Sequence, residues 1–181
     1  MQLIGKRISI VEKDDVFSVV ISSTDKKWKT GILFLWLFAW TLCGVLVFAN
    51  YFTLTDEKAK IIVIGYLAFW AYFEYKISKA FMFRRFGKEK IWIKKGKLFY
   101  RREVNKRGKI KEYEVDLIND MEVLEHNRGN FFVQMQESFW VIGGERIGFN
   151  YGAKHVSFGI QLEDEEAKKL FKELKKFMKK I

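Results

Sequence analysis

Hydrophobic and polar positions follow three different rhythms along this chain. Arg7–Glu12 and Val16–Ser22 alternate with a period close to two and read as the arms of a β-hairpin around Lys13-Asp14-Asp15. The alternation then stops. Thr30 through Thr55 is a run of 26 residues without a charged side chain, and a second apolar stretch begins at Ile61. Around twenty apolar residues are enough to cross the ~30 Å hydrocarbon core of a bilayer as a helix. The short connector Asp56-Glu57-Lys58-Ala59-Lys60 then allows only an antiparallel helical hairpin. The first stretch starts too far along the chain for a signal peptide, exceeds a signal core in length and lacks a small-residue cleavage site. The second is less uniform: Ile61–Phe73 is uncharged, after which Glu74, Lys76 and Lys79 appear. A helix from about Ile61 to about Ala80 places those lysines in its last two turns, where they can snorkel to the headgroups.

From Glu89 onward the period returns to two. Lys90–Lys94 and Lys97–Val104 flank the tight turn Lys95-Gly96, and Asn105-Lys106-Arg107-Gly108 leads into a strand over Lys109–Leu117 with Tyr113, Val115 and Leu117 on one face. Met121–Glu125 and Phe131–Met135 flank the polar turn His126–Asn130. Arg146–Tyr151 and Lys154–Leu162 flank Gly152-Ala153, with Val156, Phe158, Ile160 and Leu162 inward and His155, Ser157, Gly159 and Gln161 outward. About seven short antiparallel strands at this density predict a small sandwich or partly open barrel. The chain closes with period 3.6: Glu163 or Asp164 can cap a helix whose apolar stripe is Ala167, Leu170, Phe171, Leu174, Met178 and Ile181. Lys168, Lys172, Lys175, Lys176, Lys179 and Lys180 cover much of the rest and are read as a solvated face in preference to a lipid-binding one.

Two strands alone are marginal in water, so the Arg7–Ser22 hairpin needs a sheet to join. The only other sheet follows the apolar hairpin. The expected organisation is therefore an N-terminal β-hairpin (1–29) joining the soluble sheet, a two-helix transmembrane hairpin (30–83) inserted into that domain, and a β domain with a C-terminal helix (84–181). The fold class is a membrane α-helical hairpin plus a mainly-β or α+β unit.

Charge adds orientation. The net charge is +11, and basic residues flank both outer ends of the hairpin while the connector balances two acids with two lysines. The positive-inside rule places both termini in the cytoplasm and the connector outside, in a cytoplasmic (inner) membrane. Lys26, Lys27, Lys29, Arg84, Arg85 and Lys88 emerge together from the cytoplasmic ends of the spans and are expected to contact anionic lipid headgroups. A nucleic-acid partner would require basic residues interleaved with exposed aromatics on one surface, and the excess here clusters beside the spans instead. Glu74 is an acid within an apolar span, a functional candidate by default. Near the cytoplasmic end, at the depth of Lys26, Lys27 and Lys29, it is read as half of an interfacial ion pair in preference to a proton-handling group, since a single acid makes no relay.

No catalytic, cofactor or metal site is expected. The only cysteine, Cys43, lies inside the first span, and no His lies in either span to ligate a haem. His126 and His155 have no spaced Cys, Asp or Glu partners. Asp116 and Asp120 are placed to shape a turn, and Gly143-Gly144 lacks the strand, Gly-rich turn and helix of a phosphate loop. The aromatic residues of the hairpin are read as packing and interfacial anchors.

The segment Gly144–Lys175, a final hairpin with a small Gly-containing turn running into an acid-capped helix, resembles bacterial membrane proteins that carry pleckstrin-homology-like (PH-like) domains. The layout also looks like that of photosystem assembly factors with two spans and a β domain. With no catalytic motif in the chain, the expected function is a non-catalytic scaffold or accessory subunit, with the PH-like unit as a docking domain for an integral or cytoplasmic protein partner. A strand edge or the loop Ser138–Ile142 would be its contact surface. Assembly of a membrane complex is the alternative, and a membrane-surface enzyme a more distant one.

Overall fold

A computed structural model of the chain describes residues 2–13, 16–23, 27–124 and 142–180. Strands β1 (Gln2–Ile4), β2 (Ile8–Lys13) and β3 (Val16–Ser22) precede helices α1 (Lys27–Tyr51) and α2 (Glu57–Phe86). Then come β4 (Gly87–Lys94), β5 (Lys97–Val104), β6 (Ile110–Glu114), β7 (Ile118–Val123), β8 (Glu145–Tyr151), β9 (Lys154–Ile160) and a closing helix α3 (Asp164–Met178). The strands form two antiparallel sheets, one of order β1-β2-β3-β4-β5-β6 and one of order β7-β8-β9. The fold is mixed α+β.

Strands β3 and β4 are neighbours, in register from Val16↔Lys94 to Ser22↔Lys88, although the whole helical hairpin lies between them in sequence. The N-terminal strands thus belong to the same sheet as β4–β6. The alternation read from the sequence sets the faces: Ile8, Ile10, Phe17, Val19, Ile21, Ile91, Ile93, Leu98 and Tyr100 are buried on one side of the large sheet. They pack with Ile147, Phe149 and Phe158 of the small sheet and with Ala167, Leu170, Leu174 and Phe177 of α3. Phe17 stacks on Phe177 with ring centroids 5.0 Å apart, and Tyr113 meets Phe149 edge-on at 5.3 Å.

Two strand expectations change at their ends. The strand expected over Lys109–Leu117 stops at Glu114, and Val115–Leu117 is a single 3-10 turn that carries the chain from one sheet to the other. Leu117 is accordingly half exposed instead of sharing the buried face of Tyr113. Strand β9 ends at Ile160 because Gln161 takes a left-handed φ of 52°, after which Leu162 turns back into the core. Phe131–Met135, His126–Asn130 and most of the Ser138–Ile142 loop lie outside the described residues.

Both α1 and α2 are long and apolar enough to cross a membrane, and few of the residues in their apolar stretches are buried inside the molecule. Phe34, Leu35, Phe38, Leu42, Leu46 and Phe48 on α1, and Ile61, Ile62, Ile64 and Phe69 on α2, point outward. Asp56 caps α2, its side chain accepting from the Lys58 N–H at 3.1 Å. The second helix extends well past the expected end at Ala80: thirty residues reach Phe86, about 45 Å along the axis.

Helix α3 has a direction relative to the hairpin. Its N-terminal Glu166 lies beside Gly5 in the β1–β2 turn, at the end of the sheet where α1 and α2 attach. At its other end Lys180 pairs with Glu12 at 3.0 Å, near the β2–β3 turn. The lysine-rich last turn therefore lies at the end of the domain away from the hairpin.

Candidate functional site at the hairpin junction

The junction between hairpin and sheets concentrates most of the buried polar groups. Helix α2 passes into β4 without an intervening residue, and the Gly87 N–H closes the helix by donating to the Phe83 carbonyl. A Cβ at Gly87 would overlap that carbonyl and the Phe83 ring, so the close approach requires glycine. On the entering side, the Ser23 N–H donates to the Gly87 carbonyl at 3.1 Å, and Ser23 Oγ to the Arg84 carbonyl at 2.7 Å. Both chains of the hairpin are thus tied to each other where they leave the sheet.

Glu89, two residues into β4, is 1 % exposed. Its Oε2 accepts from the Gly159 and Ile160 N–H groups at 2.9 and 2.8 Å, and its Oε1 from Tyr100 Oη at 2.5 Å and Arg102 Nη2 at 3.3 Å. One carboxylate therefore joins the large sheet to β9 of the small sheet. Arg102 also donates to Glu145 at 2.9 Å and lies over the Phe83 ring at 5.8 Å, linking α2 to both sheets. Burial and the adjacent Glu89 charge hold the Tyr100 phenol well above its ordinary range. Burial disfavours charge on Arg102, but Tyr100, Glu89 and Glu145 outweigh it and hold the guanidinium above its ordinary range. Arg7 completes the junction: its guanidinium donates to the Ser22 carbonyl of β3 and to the Ile160 and Gln161 carbonyls after β9, at 2.7–3.2 Å. The void left among Arg7, Ser23, Phe83, Arg84, Ile142, Ile160 and Gln161 is only about 10 Å³, the space of one water at most.

The structure withdraws one of the basic residues expected to act together. Arg84 does not face outward with the others: it is 7 % exposed, and its Nη1 donates to Gln161 Oε1 at 3.3 Å. Its place in α2, one turn from β4 on the side facing β9, makes it a junction residue and corrects its expected headgroup contact. Arg85 and Lys88 are exposed beside it. Lys27 and Lys29 lie in the first turn of α1, and Lys26 lies outside the described residues.

Glu74 also departs from expectation. Its Oε1 accepts from Thr41 Oγ1 at 2.8 Å, and Thr41 stands near the middle of Thr30–Tyr51. Lys29 is twelve residues earlier on α1, roughly 18 Å along the axis, so Glu74 stands at mid-span and not at the interfacial depth expected for it. Because α2 runs six residues beyond Ala80, Glu74 lies that much farther from the helix end than the apolar pattern implies. At this level Trp70 Nε1 donates to the Trp40 carbonyl at 3.0 Å, and Glu74 Oε2 is buried without a hydrogen-bond partner among the described residues.

An open cleft of about 380 Å³ lies between the sheets, lined by Tyr100, Arg102, Lys109, Lys111, Glu145, His155, Val156 and Ser157. Its chemistry is that of ion pairs. His155 Nδ1 meets Asn150 Oδ1 at 3.0 Å instead of Ser157, and Tyr100 is committed to Glu89. Among the described residues no cluster of His, Cys, Asp or Glu could hold a metal ion. Asp120 lies within β7 instead of in a turn: it takes a left-handed φ of 51° where the register with β8 shifts between Asn119 and Glu122, and it accepts from Asn150 Nδ2 at 3.2 Å.

Sequence reasoning missed Glu89, Arg102 and Arg7. Glu89 alternates with two lysines in a stretch that reads as a solvated edge, and its burial depends on β9, seventy residues away. The one local signal was parity, since Glu89 shares the face of Ile91 and Ile93. Comparison with family models, curated proteins and solved structures finds no match to this chain.

Proposed function

We propose that the chain is a non-catalytic integral membrane scaffold or accessory subunit, whose hairpin crosses the cytoplasmic membrane and whose β domain is a rigidly mounted, PH-like docking module on the cytoplasmic side. The observation that carries this reading is the direct passage of α2 into β4, braced by Ser23, Arg84 and Glu89. A domain on a flexible tether samples many orientations, whereas here the helix runs into the strand with no intervening linker and hydrogen bonds span the junction. Fixed geometry suits a protein that positions one partner against another. The uncovered apolar surface of α1 and α2 supports the membrane placement, because hydrophobic area of that extent on a soluble monomer would drive association. Basic residues at Lys27, Lys29, Arg85 and Lys88 support a cytoplasmic β domain. Two antiparallel sheets closed by a C-terminal helix support the PH-like reading.

Purification from membranes in mild detergent, with identification of co-purifying chains, tests this function. A reproducible stoichiometric integral partner is the expected outcome. If that partner occurs only as an incomplete complex, the alternative of an assembly factor gains. A lone monomer carrying a bound metabolite would overturn scaffolding in favour of an enzyme using the cleft.

A further inference from the structure

The hairpin leaves the large sheet at its centre, between β3 and β4, so the domain end facing the hairpin has two flanks. Their charges differ. On one flank, register Gly87↔Val104 brings the β5–β6 turn level with the end of α2. Asn105 and Lys106 both take left-handed φ values, 48° and 65°, in a tight hairpin turn. Arg101 Nη2 braces that turn by donating to the Lys106 carbonyl at 2.8 Å. Lys106, Arg107 and Lys109 are exposed there, with Arg85 and Lys88 beside the helix, and none of the five has an ion-pair partner among the described residues. The acids on this flank, Glu89 and Glu103, are buried and already paired. On the other flank, Gln161 sits against Arg84 and the chain enters α3 with Glu163, Asp164 and Glu165 exposed; Asp164 pairs with Arg146, Glu165 with Lys169 at 3.8 Å, and Lys6 is exposed nearby.

We infer that the β5–β6 flank, through Lys106, Arg107, Lys109, Arg85 and Lys88, is the surface that lies on anionic lipid headgroups, and that the acidic start of α3 is the flank turned away. The inference rests on the membrane reading above and adds the tilt of the domain. Charge complementarity selects the occupant: five exposed cations without an ion-pair partner among the described residues attract a bilayer of anionic lipid, whereas the start of α3 offers carboxylates, two of them already paired, and no such cluster of free cations. The direct α2–β4 connection transmits that force to the domain as a tilt. Because exposed charges are screened within ~8 Å at physiological salt, contact must be close, and the preference should weaken as salt rises.

The test uses the full chain with Cys43→Ala, spin-labelled at Ile110→Cys on the basic flank or Lys168→Cys beyond the acidic one. It is reconstituted in nanodiscs of phosphatidylcholine alone or mixed with phosphatidylglycerol. Relaxation by gadolinium-chelating headgroups reads the distance of each label from the lipid surface. On the anionic discs the label at 110 should move nearer and the label at 168 farther, and both shifts should be lost at high salt and in the triple variant Lys106→Gln, Arg107→Gln, Lys109→Gln. These side chains are exposed, so circular dichroism of the variant should match the parent. Insertion into discs with equal distances on both lipids, or shifts that survive the triple variant, would overturn the inference while leaving the membrane reading intact. A chain that stays soluble without detergent and never enters a disc would overturn both.

Discussion

Glu89 brings four donors from two strands onto one carboxylate, and a group used this fully inside a core is costly to remove. In Glu89→Ala the Gly159 and Ile160 N–H groups and the Tyr100 hydroxyl would remain buried without acceptors. Each orphan costs about 1–3 kcal/mol, so a loss on the order of 3–5 kcal/mol is expected after relaxation. Glu89→Gln keeps one acceptor oxygen and should cost less, and unfolding in detergent by denaturant would show the ranking. An alanine variant as stable as the parent would mean that the carboxylate is not what joins the sheets. Glu103 gives a pH-dependent counterpart. Burial disfavours its charge, but Lys90 at 2.7 Å and Arg101 outweigh that and hold its carboxyl below the ordinary value of 4.5. As pH falls the unfolded chain binds this proton first, so the ion pairs contribute fully above about 4.5 and are lost as pH drops through the lower folded value. The unfolding midpoint of the parent should therefore fall more steeply below pH 4.5 than that of Glu103→Gln. Parallel slopes would dismiss the pairing.

At the scale of elements, the two apolar helices and most strands were legible because each rests on a local pattern: absence of charge for α1, alternation for β2, β3, β4, β5 and β9, three- and four-residue spacing for α3. The end of α2 was not. Arg84 and Arg85 read as headgroup cations, yet basic residues are equally what the C-terminus of a helix favours, and only contact with Gln161 shows Arg84 turned inward. The 3-10 turn at Val115–Leu117 was hidden for a related reason, since three alternating residues look alike whether the chain continues or changes sheets. Contact between α1 and α2 was also outside the reach of pattern. A Cβ on Gly44 would overlap the Trp70 indole, whose Nε1 donates to the Trp40 carbonyl. Gly44→Ala should therefore push the helices apart or displace Trp70, at about 1–3 kcal/mol for overpacking, lowering the thermal midpoint in detergent. Pairing it with Trp70→Leu should recover part of the loss, because the two sites couple through one contact. Strictly additive effects would show that the indole does not occupy that space.

The whole molecule poses a sharper question, which is whether the hairpin is part of the fold or a passenger within it. Nearly all contacts of the core come from β1–β9 and α3, and the hairpin contributes Phe83 and Arg84 at the junction. Strands β3 and β4 are already antiparallel neighbours at Ser22↔Lys88, and the Ser23 N–H reaches the Gly87 carbonyl at 3.1 Å. A two-residue Asn-Gly turn closes such a pair with the twist the strands require. Replacing 24–86 with Asn-Gly should therefore yield a water-soluble, β-rich monomer that unfolds cooperatively. It should be somewhat less stable than the parent domain because Arg102 loses Phe83 and Gln161 loses Arg84. Restoring the sheet alone should not suffice: deleting 2–22 from the same variant removes Ile8, Ile10, Phe17, Val19 and Ile21 from the core and bares the edge of β4. At about 1.5–3 kcal/mol for each large apolar side chain, that loss is comparable to the 5–15 kcal/mol by which a domain is stable at all. The first variant folded and the second unfolded would establish one domain interrupted by its two apolar helices. If the loop-closed variant proved insoluble or molten, α1 and α2 would be required for the β domain to fold, and the hairpin could no longer be regarded as an insertion.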